Sequence, residues 1–161
     1  MWDSATFGMD FKPAQVEAIT GYSASLQRKW AERHFDFRGS QSVVGGEGKH
    51  RWYSWVGVQM LTLFGDVLTD LGSATEARAA LMVDPVPGLT RHSRDLFEQD
   101  WRDRPRGGDI VLVRDFGAIN PLFLTSSTSN LSLPSRGYVY NLSALQRRLA
   151  ERAESAIGIR I

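Results

Sequence analysis

The side chains best suited to bind a ligand are the basic and polar ones that lie between residues 24 and 53. This segment carries six Lys or Arg side chains against three acidic ones, whereas the whole chain has a formal net charge of only +1. Phosphate groups bind such clusters because the cations displace counterions, and the affinity then falls steeply with salt. The sequence therefore predicts one local nucleic-acid-binding surface on a chain that is otherwise slightly acidic.

The candidate DNA-binding residues form two groups. The first lies on a predicted helix whose first turns are expected to enter the major groove, and comprises Ser23, Ser25, Gln27, Arg28, Lys29 and Arg33. Arginine recognises guanine and glutamine recognises adenine, each through paired hydrogen bonds. The second group lies on a predicted hairpin, where it would contact phosphates or the minor groove, and comprises Lys49, His50 and Arg51.

Each of these residues also has a structural interpretation. Arg28 or Arg33 would be solvated or paired with Glu32, and a charged hairpin edge would discourage aggregation. Arg51 would hold the hairpin against the helices. Two large aromatic side chains near the basic cluster, Trp30 and Trp52, are predicted to fill the core rather than to stack on bases.

Enzymatic chemistry is not indicated. The chain has no cysteine, which excludes disulfides, thiol catalysis and Cys-type zinc sites. The glycine-rich segment 45–49 lacks the spacing of a phosphate-binding loop, and His50 stands where Ser or Thr would bind magnesium. The segment 21–25 lacks the last glycine of a nucleophile elbow. The three histidines have no metal-ligand spacing, so we expect no catalytic residue, no cofactor and no metal.

The elements that would position the basic residues begin with two short helices. Pro13 can start the first, Gly21 can end it, and Ser23 can cap a second helix from about Ala24 to His34. Two short helices joined by a glycine-containing turn are typical of a helix-turn-helix. The alternation of apolar residues around the glycine-rich tip at 45–48 predicts a β-hairpin over 35–53, placed as a wing.

The next helix is predicted to start after Ser54, to end near Gly72 and to be apolar on two faces. A helix of this kind is buried on two sides, by a second domain or by a dimer partner. A further short helix is predicted at Ala74–Met82. Residues 1–10 are interpreted as a loose leader.

In the C-terminal third, the spacing of apolar residues changes from a helical pattern to one that favours strands. Three strands are predicted at Ile110–Val113, Leu122–Leu124 and Tyr138–Tyr140, with Gly117–Pro121 as a connection, and either Asn141 or Ser143 can cap a last helix. That helix carries an apolar stripe formed by Leu142, Leu145, Leu149, Ala153 and Ala156. The stripe is either a dimer seam or the face that packs on the sheet of its own chain.

The predicted fold class is therefore α+β. A winged helix-turn-helix domain is expected over residues 11–82, a linker with a short helix over 83–108, and a small three-stranded α/β module over 109–161. The last module would serve in dimerisation or in binding a partner, because a short sheet has unpaired edges.

Four motifs occur in the order Thr20-Gly21-Tyr22-Ser23, Arg28–Arg33, Arg51–Ser54 and an apolar helix. In this register residues 12–82 resemble the winged helix-turn-helix of MerR-type transcriptional regulators, which implies a bacterial DNA-binding regulator. The chain departs from the family at Gln27, where a leucine is usual, and no long dimerisation helix fits between Val83 and Gly108. Metal-responsive members use cysteines, so the family's inducer-binding chemistry is not transferred to this chain.

We therefore expect a sequence-specific transcriptional regulator that occupies promoter DNA as a homodimer, with double-stranded DNA as its ligand. RNA polymerase or another regulator would be a further partner. No stretch approaches the roughly 20 apolar residues of a membrane span, and no signal peptide is visible, so a cytoplasmic protein is expected. The alternatives are an excisionase-like architectural factor, a phage DNA-packaging factor, or a winged module that binds protein.

Overall fold

The computed structural model describes residues 9–33, 52–82, 109–115, 118–124 and 137–161. The body of the predicted wing, with Lys49, His50 and Arg51, and the predicted linker 83–108 lie outside the described residues. Helices combine with two small antiparallel sheets, one of two strands and one of three, which confirms the α+β class.

Two short helices open the described chain: α1 spans Pro13–Thr20 and α2 spans Ala24–Arg33. α1 ends at Gly21, whose φ of 82° lies in the left-handed region that glycine adopts without a Cβ penalty. Ser23 caps α2, because its carbonyl oxygen accepts the Gln27 N–H at 2.9 Å and its Oγ accepts the Leu26 N–H at 3.4 Å. The predicted helices and their caps are confirmed.

A two-residue ladder was not predicted. Strand β1, Asp10–Phe11, pairs antiparallel with β2, Tyr53–Ser54, so that Phe11 lies opposite Tyr53. The end of the supposed leader is therefore part of the fold. Tyr53 is the last residue of the predicted wing, and this pairing attaches that end of the wing segment to the strand before α1.

Helix α3, Trp55–Leu71, follows β2 directly. Ser54 caps it through a 3.0 Å hydrogen bond from the Gly57 N–H, and Gly72, with a φ of 73°, ends it. Buried residues occur all round its middle turns, and include Val58, Leu61, Leu63, Phe64 and Val67. The prediction that this helix is buried on two sides is confirmed, and this burial arises within a single copy of the chain.

Helix α4, Ala74–Met82, begins after Ser73, whose Oγ accepts the Glu76 N–H at 3.3 Å. This element matches its prediction at both ends.

Three strands form the second sheet: β3 at Asp109–Asp115, β4 at Ala118–Leu124 and β5 at Gly137–Asn141. Their order is β4-β3-β5, with both pairs antiparallel. The predicted connection at Gly117–Pro121 is wrong, because Ala118 already pairs with Asp115 and Pro121 lies opposite Leu112. An end strand tolerates a proline, since one of its edges donates no hydrogen bond within the sheet.

The last helix, α5, spans Leu142–Ile157, and Asn141 rather than Ser143 caps it through a 2.7 Å hydrogen bond from the Ala144 N–H. Leu145, Leu149 and Ala153 are buried, whereas Ala156 is exposed. These three stripe residues are covered within one copy of the chain, so they do not form an exposed dimer seam.

The chain divides into two compact units, with the breaks between residues 62 and 63 and between residues 146 and 147. The division falls within α3 and within α5. These bounds differ from those of the predicted segments 11–82, 83–108 and 109–161, which stay predictions. Of the helices in the described part of the chain, none is both long and apolar enough to cross a membrane.

Candidate nucleic-acid interface

The outward side of α2 gathers most of the predicted contact residues of the first group. Five of them are exposed: Ser23, Ser25, Arg28, Lys29 and Arg33. The same five, with Leu26 and Glu32, line one open depression of about 530 Å³. Five of the six residues predicted for the first group therefore share a single surface.

Helical spacing explains this grouping. Positions three and four residues apart lie on the same face of a helix, which places Ser25, Arg28, Lys29 and Glu32 on one stripe. Gln27 and Trp30 are also three residues apart and point the opposite way, where both are buried. α2 is therefore amphipathic, with one side fixed in the core and the other presented to solvent.

The structure corrects the role predicted for Gln27. Its side chain is 0% exposed, and its Nε2 donates to the carbonyl oxygens of Pro13, at 3.0 Å, and Tyr22, at 2.7 Å. Because both neighbours are acceptors, the amide nitrogen must face them, which fixes the orientation of the amide. A side chain buried and hydrogen-bonded in this way does not reach a base edge, so Gln27 holds α1, the turn and α2 together from inside.

The turn between α1 and α2 is held by its own hydrogen bonds. Thr20 Oγ1 donates to the Val16 carbonyl oxygen at 2.7 Å and accepts the Tyr22 N–H at 3.2 Å. The Tyr22 ring meets the Trp30 ring edge-on, with 4.9 Å between centroids. Together with the cap at Ser23 and the amide of Gln27, these contacts hold the first turn of α2 in a defined orientation.

A carboxylate lies at the N-terminal end of α2. Glu17 Oε2 accepts the Ala24 N–H at 3.2 Å, and the positive end of the helix dipole favours a negative charge there. Ser23 Oγ and Ser25 Oγ, which both line the depression, lie 3.1 Å apart, so a hydrogen bond joins the two hydroxyls. Glu17 is not among the residues predicted from the sequence. Its position seven residues before Ala24, across a tight turn, could have indicated that its carboxylate reaches the start of α2.

The charge of the depression is net positive. Arg28, Lys29 and Arg33 contribute three cations and Glu32 one carboxylate. Glu32 follows Arg28 by four residues, the spacing at which side chains of one helix face interact. The arrangement offers several hydrogen-bond donors to an acceptor-rich or phosphate-bearing ligand, together with one carboxylate and two serine hydroxyls that can accept.

One basic side chain outside the predicted set, that of Lys12, lies near Trp52. Lys12 Nζ is 5.4 Å from the centroid of the Trp52 ring, within cation–π distance. Trp52 is half-buried rather than a full core residue, while Trp30 is 5% exposed, as predicted. Within the residues that the structure describes, no cluster of His, Asp and Glu is arranged to hold a metal ion.

Neither a model of any known protein family nor any curated protein matches this chain.

Proposed function

We propose that this protein is a sequence-specific DNA-binding transcriptional regulator of winged helix-turn-helix type, with α2 as its recognition helix. The observation that carries the proposal is the common surface of Ser23, Ser25, Arg28, Lys29 and Arg33, which are exposed and line one depression. The MerR-like order of motifs in residues 12–82 supports the same function. No catalytic step is assigned, since the mechanism would be occupancy of promoter DNA.

Physical reasoning supports a duplex as the ligand. A recognition helix must present polar and cationic side chains on one side while its other side is fixed in the core, since base contacts require a defined orientation. α2 meets both requirements, because Trp30 and Gln27 anchor one side and Arg28 and Lys29 occupy the other. The wing residues Lys49, His50 and Arg51 complete the proposed interface.

A homodimer is proposed as the functional state, because a dimer with two-fold symmetry binds a DNA site that has the same symmetry. The end strands β4 and β5 of the three-stranded sheet are the candidate contact, because strand edges pair readily with a second copy. The buried stripe of α5 is not available for this purpose. Light scattering on the full chain distinguishes a dimer from a monomer or from the ring expected of a packaging factor.

Selection from a library of random duplexes with the full-length protein tests the function. The expected result is one enriched motif, palindromic if the protein binds as a dimer, with binding that weakens as salt rises. Arg28→Ala should weaken binding to the selected site by about 1–3 kcal/mol without altering the folded state.

Arg152→Ala is the matched control, because Arg152 is an exposed arginine within α5. It should leave the affinity unchanged. A protein that enriches no motif and binds no duplex in a salt-dependent way is not a DNA-binding regulator, and a role as a protein-interaction module would then be favoured. Strong bending of the bound duplex would favour an architectural factor.

A further inference from the structure

The side chains on the outward stripe of α2 differ in which bases they can recognise. Guanine presents two acceptors, O6 and N7, in the major groove, whereas adenine presents an acceptor beside a donor and cytosine presents a donor. Guanine is therefore matched by Arg or Lys, cytosine by a carboxylate, and adenine by an amide, which both donates and accepts. This pattern of donors and acceptors decides which base each exposed side chain of α2 can recognise.

The only amide on α2 is that of Gln27, and it is fully buried with its Nε2 bonded to two backbone carbonyl oxygens. The exposed stripe holds Arg28, which matches guanine through paired donors, and Glu32, which matches cytosine, while the compact charge of Lys29 suits a phosphate. The hydroxyl of Ser25 accepts or donates and so discriminates weakly. Leu26, the apolar residue of the depression, is half-buried, which limits its contact with a thymine methyl group.

From this distribution we infer that α2 recognises G·C base pairs rather than A·T base pairs, with Arg28 donating to O6 and N7 of a guanine and Glu32 accepting from N4 of a cytosine. The inference rests on the proposed function and adds to it the class of sequence that is bound. Arg28 and Glu32 are four residues apart, about 6 Å along the helix axis, and base pairs are spaced by about 3.4 Å. The two recognised G·C pairs should therefore lie within about two base-pair steps of each other.

The first test compares selected sites for the wild-type protein, Arg28→Lys and Glu32→Gln. Arg28→Lys keeps the charge but loses the planar pair of donors, so a phosphate contact would survive and a bidentate guanine contact would not. The preference for guanine at one position should fall by about 5- to 150-fold. Glu32→Gln should shift a nearby position from cytosine towards adenine.

The second test uses the wild-type protein alone, so it does not depend on how a variant folds. Replacing the recognised guanine with 7-deazaguanine removes the N7 acceptor and should weaken binding by about fivefold or more. 7-Deazaadenine placed elsewhere in the same duplex is the control and should have no effect.

The outcomes separate this inference from the proposed function. Enriched sites with A·T pairs at the positions that respond to Arg28→Lys, or unchanged affinity for the 7-deazaguanine duplex, would overturn the inference while leaving a DNA-binding regulator in place. A selection that enriches no duplex would remove both.

Discussion

Gln27 Nε2 lies 2.7 Å from the Tyr22 carbonyl oxygen and 3.0 Å from that of Pro13, so one buried amide joins the start of α1, the turn and α2. A leucine at this position would fill the space but offer no donor. The glutamine therefore joins these three segments through two directional bonds. Among the described residues no hydrogen-bond donor pairs with the buried Oε1, so the amide is satisfied on its nitrogen side alone.

Gln27→Leu should lower the free energy of unfolding by about 1 kcal/mol, because two carbonyl oxygens each lose one hydrogen bond while the buried, unpartnered Oε1 is removed as well. Gln27→Glu should cost more, since an ionised carboxylate would face the same two carbonyl oxygens. Urea denaturation of the full chain, followed by Trp fluorescence, measures both changes. An unchanged midpoint for Gln27→Leu would mean that the two hydrogen bonds contribute nothing net.

Much of the local structure follows from residues with a direct physical effect. The hydroxyls of Ser23 and Ser54 cap helices as the sequence predicted, Ser73 caps α4 in the same way, and Gly21 and Gly72 end helices with a positive φ. These signals act within one turn of the chain, so a single sequence is enough to detect them.

Contacts between residues distant in sequence were harder to predict. The ladder of Phe11 with Tyr53 is two residues long, too short for an alternating pattern, and it joins segments some forty residues apart. Pro121 lies in the predicted connection Gly117–Pro121, yet it belongs to β4, because an end strand accepts a proline. The burial of Gln27 was missed for a different reason, since residue type suggested a surface. Its spacing of three from Trp30, already expected in the core, was the signal that indicated the buried face.

Gly21→Ala should destabilise the protein by about 1–2 kcal/mol. A Cβ at this position would meet no atom within 4 Å, so the cost comes from the left-handed backbone with its φ of 82° and not from a clash. Gly21→Asn is the matched variant and should cost less, because asparagine tolerates this region better than alanine does. Thermal denaturation checks the order, and equal losses for Ala and Asn would contradict a backbone origin.

Tyr140→Phe should lower stability by about 1 kcal/mol. The Tyr140 hydroxyl donates to Asp70 Oδ2 at 2.7 Å and so joins β5 to the last turn of α3. The loss is modest because Asp70 is exposed and its carboxylate regains water. A double-mutant cycle with Asp70→Asn isolates the pair, with an expected coupling of at least about 0.5 kcal/mol. Strictly additive effects would show that this contact does not stabilise residues 63–146.

Lys29→Ala should weaken binding to selected and random duplexes to the same extent, in contrast to Arg28→Ala, which should act mainly on the selected site. Lys29 is exposed next to Arg28 at the rim of the depression, and a lysine is a compact charge suited to a phosphate. Removing one phosphate contact should reduce the slope of log affinity against log salt by about one.

Fluorescence anisotropy over a range of salt concentrations, with both duplexes and with Arg152→Ala as control, measures these slopes. If the slope stays unchanged while only the selected site loses affinity, Lys29 contacts a base edge rather than the backbone. Lys29 would then join Arg28 among the residues that select guanine, because both offer donors to O6 and N7.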